Sequence, residues 1–259
     1  MRAVGVHADV VVVTSQVWQT SCTLVRGGSE AFVIDSPVLP AELEALPSLA
    51  EQAGFAVAGL LATHADWDHL LGRLAFPEAA IGVAETTAAR LAGEPGAAQR
   101  ELRAFDEEHY LARKRPLSLG QVQALPVPGR CGIGERELEL HPADGHTADG
   151  MVVWVPWSKC LVVGDYVSPV EIPMLSPGGS LNAYLATLAR LRPLVEAADT
   201  VVPGHGAPLE PEAAMHVLDE DADYLRAVGE DGSGAPLPRG RDTAEQRRIH
   251  SENARALGV

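Results

Sequence analysis

Lysine is almost missing from this chain. Lys114 and Lys159 are the only two in 259 residues, and Asp plus Glu outnumber Lys plus Arg by 35 to 20. The resulting charge of −15 repels phosphate backbones and anionic lipid, which argues against nucleic acid and the membrane surface as partners. Such an acidic surplus serves solubility in the first place; a share of it around a divalent metal is the second reading. Any recognition of anions falls to arginine, backbone or metal. Cysteine is scarce too. Cys22, Cys131 and Cys160 are odd in number, scattered, and in no CxxC pair. That argues against a disulfide framework and a thiolate zinc site, and leaves each as a small buried hydrophobe. No apolar run approaches the roughly 18–20 residues that span a bilayer. The start of the chain lacks a basic stretch, an uninterrupted apolar stretch and a cleavage site, because His7 and Asp9 break it up. Residues 1–14 are therefore read as a first strand, and the protein is expected in the cytoplasm. No repeat recurs at a period of 20–50 residues.

What is present suffices for a packed core, since apolar residues make up 46 % of the chain. Residues 10–14, 22–26 and 31–35 are β-rich, with a hairpin turn at Arg26-Gly27-Gly28-Ser29. A helix is predicted over 41–53, closed by Gly54, then a buried strand over 57–63 and a short helix over 70–75. Residues 84–115 read as helical, interrupted at 93–96. Strands follow at 121–125, 137–140, 151–155 and 160–163. A helix over 181–197, a strand over 200–202 and a helix over 211–228 come next. A Gly/Pro-rich loop at 230–240 and a polar terminal helix over 243–257 complete the chain. Strands and helices thus fall in two successive halves, each ending in helix, a pattern of an α/β chain. The expected division is a main domain over 1–229, with 230–259 packed on it or extending it.

Chemistry concentrates at the ends of these strands. His64 and His69 stand in Thr-His-Ala-Asp-Trp-Asp-His, His146 in Asp-Gly-His-Thr-Ala-Asp-Gly, and His205 in Val-Pro-Gly-His-Gly; Gly164-Asp165 closes an apolar strand. Residues at strand ends can converge on one sheet edge. If the chain past Thr63 stays extended, residues 64, 66 and 68 point to one side. Two imidazoles and two carboxylates within six residues are costly to bury without a divalent cation.

These pieces together resemble the metallo-β-lactamase superfamily, which includes thioesterases, lactonases, phosphodiesterases, alkylsulfatases and flavodiiron proteins. Asp35, the loop from His64 to His69 followed by Gly72, Gly145-His146-Thr147, Gly164-Asp165 and Pro203-Gly204-His205-Gly206 occur in the family's order. The resemblance implies an αββα sandwich of two packed mixed sheets flanked by helices. It implies a first metal held by His64, residue 66 and His146, a second held by Asp68, His69 and His205, and Asp165 bridging them. It further implies a hydroxide between two divalent ions as the nucleophile, with Asp68 orienting it as the catalytic carboxylate. The substrate implied is a small molecule with an ester-type bond, whether thioester, lactone or phosphodiester. The metals implied are Zn or Fe, with Mn a further candidate.

Residue 66 departs from the family's His-x-His-x-Asp-His loop. Aspartate there either replaces histidine as a ligand, favouring the harder Fe or Mn, or is too short to reach and leaves one metal, or marks an inert site. Flavodiiron proteins also carry a carboxylate at this place, which raises a di-iron redox role as an alternative, beside a non-catalytic metal-binding domain. With about 50 residues after His205, a flavodoxin domain is not expected here.

Other residues draw weaker expectations. Trp67 either lines a substrate pocket or packs beside the loop. His109 and Tyr110 are placed on an exposed charged helix near the metal edge. His7, His141 and His216 lack a ligand-like setting, and His250 lies on the terminal helix. Residues 176–180 form a loop ending in Ser180 as a helix cap, and Asp35 is expected to support the metal loop. The sequence leaves the oligomeric state open.

Overall fold

The run Val10-Val11-Val12-Val13 shows how the layers are built. Alternate side chains of a strand point to opposite faces, so Val10 and Val12 enter one apolar core and Val13 another. The computed structural model describes residues 1–120 and 122–259; Gln121, placed by the sequence at the head of a strand, lies outside the described residues. Seven strands form a first sheet in chain order: β1 (Arg2–His7), β2 (Val10–Thr14), β3 (Ser21–Gly27), β4 (Glu30–Asp35), β5 (Val57–Leu61), β6 (Ile81–Ala84) and β7 (Val122–Leu125). The second sheet contains β8 (Gly129–Ile133), β9 (Arg136–Pro142), β10 (Met151–Val155), β11 (Cys160–Gly164) and β12 (Thr200–Pro203), ordered β12-β11-β10-β9-β8. Both sheets are mixed: β4 to β7 pair in parallel, as do β11 and β12, and the other pairs are antiparallel.

Between the sheets, Val10, Val12, Ile34 and Leu61 meet Leu138, Leu140, Val153 and Val162. Helices α1 (Pro40–Gln52), α2 (Gly72–Ala75), α3 (Glu85–Gly93) and α4 (Ala97–Glu108) belong to the first half. Leu43 and Leu46 of α1 and Leu102 and Phe105 of α4 cover the outer face of the first sheet, against Leu24, Val33 and Leu60. Helices α5 (Leu181–Ala197), α6 (Pro211–Asp231) and α7 (Ala244–Leu257) follow in the second half. Tyr184 and Leu188 of α5, Leu218 and Leu225 of α6 and Ile249 of α7 pack against Val152, Leu161 and Val163 on the far side of the second sheet. The order of layers is helix, sheet, sheet, helix. Among the described residues no helix is long and apolar enough to cross a membrane.

Several elements depart from the sequence reading. Residues 1–14 are two strands, because the chain reverses at Ala8-Asp9, where the Asp9 amide donates to His7 Nδ1 (3.0 Å). β6 is four residues long and buried throughout, too short to show a period. β8 contains two glycines and an arginine, a composition poor in strand formers, and it owes its pairing to the hairpin with β9. The helix read over 84–115 ends at Glu108. Tyr110 adopts φ +53°, and Arg113 turns back to Asp106 (2.8 Å) and donates to the Val38 carbonyl (3.0 Å). His109 therefore follows the end of α4, and Tyr110 projects into solvent. α6 continues through Asp231, three residues beyond the expected end, and a single helical turn, Gly232–Gly234, occupies part of the expected loop. Cys22 and Cys160 are buried, but Cys131 is half-buried; all three are free thiols.

The ends of β4, β5, β11 and β12 meet at one edge. The two sheets are tied there by a short bridge between Thr20 and His205 and by the Ser21 amide donating to the Gly204 carbonyl (2.6 Å).

Candidate metal centre

β4 ends on Asp35, held at φ +58°, a left-handed conformation that aspartate tolerates better than most residues. Its carboxylate accepts from the Thr63 amide (Oδ1, 2.8 Å) and from Thr63 Oγ1 (Oδ2, 2.9 Å), which fixes the chain just past β5. Thr63 Oγ1 also lies 3.0 Å from His64 Nδ1. With the hydroxyl hydrogen directed to Asp35, that oxygen accepts from the ring, and His64 Nε2 is left with a free lone pair. Asp35 Oδ2 is 3.0 Å from His69 Nδ1, so one carboxylate orients a histidine from each end of the loop.

The loop stays extended only as far as Asp66 (φ −67°, ψ 138°), which starts a 3₁₀ turn over Trp67–His69. The turn overrides the strand-like alternation expected for 64, 66 and 68. His64 and Asp66 face His146, whereas Asp68 is swung away to join His69 and His205. Asp66 Oδ2 lies 3.6 Å from His64 Nε2 and 3.4 Å from His146 Nε2. Asp68 Oδ2 lies 3.6 Å from His69 Nε2 and 3.7 Å from His205 Nε2. Asp165 joins the two groups: Oδ2 is 3.3 Å from His146 Nε2 and 3.7 Å from His64 Nε2, and Oδ1 is 3.1 Å from His69 Nε2 and 3.5 Å from His205 Nε2.

All four imidazoles point Nε2 inward; three hold Nδ1 outside by hydrogen bonds, and His69 Nδ1 lies in ion-pair contact with Asp35. His146 Nδ1 bonds the Met174 carbonyl (2.8 Å) and His205 Nδ1 the Trp18 carbonyl (3.1 Å). Residues 174–180 back His146 from behind, with the Ser176 amide donating to the His146 carbonyl (2.9 Å); Ser180 then caps α5 as expected. Gly204 lies so close to Asp165 that a Cβ there would overlap Oδ1. This accounts for the glycine before His205.

The electrostatics are those of a cation site. The Nε2 atoms of His64, His69 and His146, and Asp165 Oδ1, are buried without a hydrogen-bond partner. Burial pulls the His205 ring down, but Asp165 and Glu171 outweigh it and lift the pKa to about 10. For His146, burial is likewise outweighed by Asp66 and Asp165, and the value rises to about 9. Burial raises the Asp165 carboxyl, yet the surrounding histidines hold it well below the usual carboxylate range. A buried cluster that draws protons so strongly suits a divalent ion in the protons' place. The donor set of imidazole and carboxylate fits such ions.

The seven residues expected at the site are thus brought together. Trp67 packs against Phe105 (4.9 Å between ring centres) and Trp18 (5.8 Å). His250 bonds Tyr224 Oη (3.0 Å) inside the second-half core, away from the seven. His7, His141 and His216 take no part. Two residues went unnoticed in the sequence: Arg90 on α3 and Asp149, three residues after His146. Arg90 Nη2 contacts Asp66 Oδ1 (2.8 Å) and Nη1 contacts Asp149 Oδ1 (2.9 Å), while Asp149 Oδ2 accepts from the Ala65 amide (3.0 Å). The available signal was the additional carboxylate at 66, which calls for a neighbouring cation in a chain nearly devoid of lysine.

The metallo-beta-lactamase superfamily profile matches residues 15–205, which contain every residue of both groups. The chain belongs to the metallo-beta-lactamase superfamily. Solved members share its fold at low identity. A metallo-beta-lactamase from Pontibacter korlensis is 22 % identical with a TM-score of 0.63, covering 84 % of this chain and 97 % of that one. The DIM-1 metallo-beta-lactamase is 21 % identical with a TM-score of 0.61, covering 84 % of this chain and 94 % of that one. TMB-1 is 20 % identical with a TM-score of 0.60, over 84 % and 95 %. The superfamily fold and the His/Asp groups support a metal-dependent hydrolase.

Proposed function

We propose that the protein hydrolyses an ester-type bond in a small molecule, of the thioester, lactone or phosphodiester class, with two divalent ions held in its two ligand groups. His64, Asp66 and His146 would hold the first, Asp68, His69 and His205 the second, and Asp165 both. The observation that carries the reading is the division of Asp165, one oxygen toward each group, among inward-facing Nε2 atoms. Ions bound here, zinc or iron, would supply activated water, by lowering its pKa from about 15.7 toward about 7, and polarise the bond under attack. Asp68 Oδ2 stands in the second group, 3.6 Å from His69 Nε2 and 3.7 Å from His205 Nε2, where a carboxylate can orient the attacking water and take up a proton. Asp35, Thr63, Met174 and Trp18 hold the four rings, so the groups are built before substrate arrives.

Asp66 supports a second reading, a di-iron redox centre, because a carboxylate occupies the place of a histidine ligand. Elemental analysis of the purified protein, together with assays on thioesters, phosphodiesters, lactones and β-lactams, separates the two. Bound metal with turnover of an ester-type substrate supports the hydrolase. Iron with oxygen consumption and no hydrolysis transfers the site to redox chemistry. No metal under any loading condition refutes both.

A further inference from the structure

The metal loop carries aspartate where the superfamily pattern has histidine, and the structure places a guanidinium directly behind it. Asp66 divides its two oxygens: Oδ1 is taken by Arg90 Nη2 (2.8 Å), and Oδ2 faces His64 Nε2 and His146 Nε2. Arg90 is itself fixed from the other side by Asp149, which holds the backbone of the same loop at Ala65. A planar guanidinium bridging two carboxylates is rigid in a way that an ammonium is not. Its position and charge have two consequences. Asp66 can offer only one oxygen inward, as an imidazole offers one nitrogen. Arg90, shared with Asp149, offsets part of the charge that Asp66 brings, which moves the aspartate toward an uncharged imidazole.

We propose that Arg90 and Asp66 act as one unit that replaces the missing histidine of the first ligand group, with Arg90 as a positioning and charge-balancing residue. This rests on the reading of the cluster as a two-ion centre. It also weakens the case for a harder ion drawn from the sequence: the first group gains an oxygen donor whose charge Arg90 partly offsets.

The unit predicts a reversal that a purely structural arginine would not produce. Asp66→His alone restores the usual loop but removes the carboxylate that stands between Arg90 and the cation site, leaving Asp149 and, at 4.0 Å, Glu94 as partners of the guanidinium. We expect that variant to bind Zn²⁺ at the first group about 10–100-fold more weakly than the native chain, the range typical of outer-shell changes. Adding Arg90→Gln to Asp66→His removes the positive charge behind the imidazole and keeps a hydrogen-bond donor for Asp149, and should bring affinity back to within about threefold of native. If Arg90 served only to brace the loop through Asp149 and Ala65, the double variant would bind more weakly than Asp66→His. The measurement is a titration with Zn²⁺ alone against a chromophoric chelator, resolving two binding steps. The step belonging to Asp68, His69 and His205 is the internal control for a folded chain. Should Arg90→Gln fail that control, Arg90→Met in the Asp66→His background takes its place with the same expected recovery. No gain on removing the arginine, or native affinity in Asp66→His, overturns the unit while leaving the two-ion centre intact. Absence of both steps in the native protein overturns the centre itself.

Discussion

The two ligand groups share one carboxylate, Asp165, and each has two inward-facing rings, yet their supports differ. The group of Asp68, His69 and His205 follows the superfamily pattern, and its rings rest on Asp35 and the Trp18 carbonyl. The group of His64, Asp66 and His146 departs from it, and its carboxylate rests on a cation, Arg90. An imidazole ligand is steadied by an acceptor behind its second nitrogen, whereas a carboxylate ligand is steadied by a donor behind its second oxygen. A change of ligand type therefore brings a change of sign in the support.

The comparison yields graded expectations. The largest effect falls on Asp165, the one residue both groups use. Asp165→Ala should release both ions, seen by elemental analysis, and lower turnover of any substrate found by orders of magnitude. Full metal content in that variant would show that the groups are independent. Next comes His205→Ala, which should remove the ion of the second group only; loss of both ions would mean that the first group cannot stand alone. Asp35→Asn is expected to weaken metal binding by about 10–100-fold. The second group should suffer more, because Asp35 faces His69 directly but reaches His64 only through Thr63. Equal losses would contradict that chain of contacts.

The first-half metal loop was legible in the sequence because its ligands sit within six residues after a buried strand. Asp165 and His205 were legible from apolar runs that stop at Gly or Pro, and His146 from the glycine-bearing turn between β9 and β10. The direction of Asp68 was legible only through the family resemblance, which set it with His69 and His205. Local alternation puts it beside His64 and Asp66, and only the 3₁₀ turn over Trp67–His69, packed through Trp67 on Phe105, sends it to the other group. Arg90 was illegible for a different reason: it comes from a helix two elements away, and nothing in its neighbours marks it. The short strand β6 and the glycine-bearing β8 escaped because tertiary pairing, not propensity, makes them strands.

The smallest effect is on protons. With His205 raised to about 10 and His146 to about 9, both rings hold a proton near neutral pH, and a metal must displace it. Metal affinity should rise with pH up to those values, and calorimetry in buffers of different ionisation enthalpy should show proton release on binding. Binding without proton release would mean that the rings are already neutral.

The central claim is that two ions share Asp165. Anomalous diffraction from crystals soaked in zinc tests it most directly. The account predicts two peaks roughly 3.5–4 Å apart, as in other two-metal sites, one beside His64, Asp66 and His146 and the other beside Asp68, His69 and His205. A single peak, or peaks away from these residues, would contradict it.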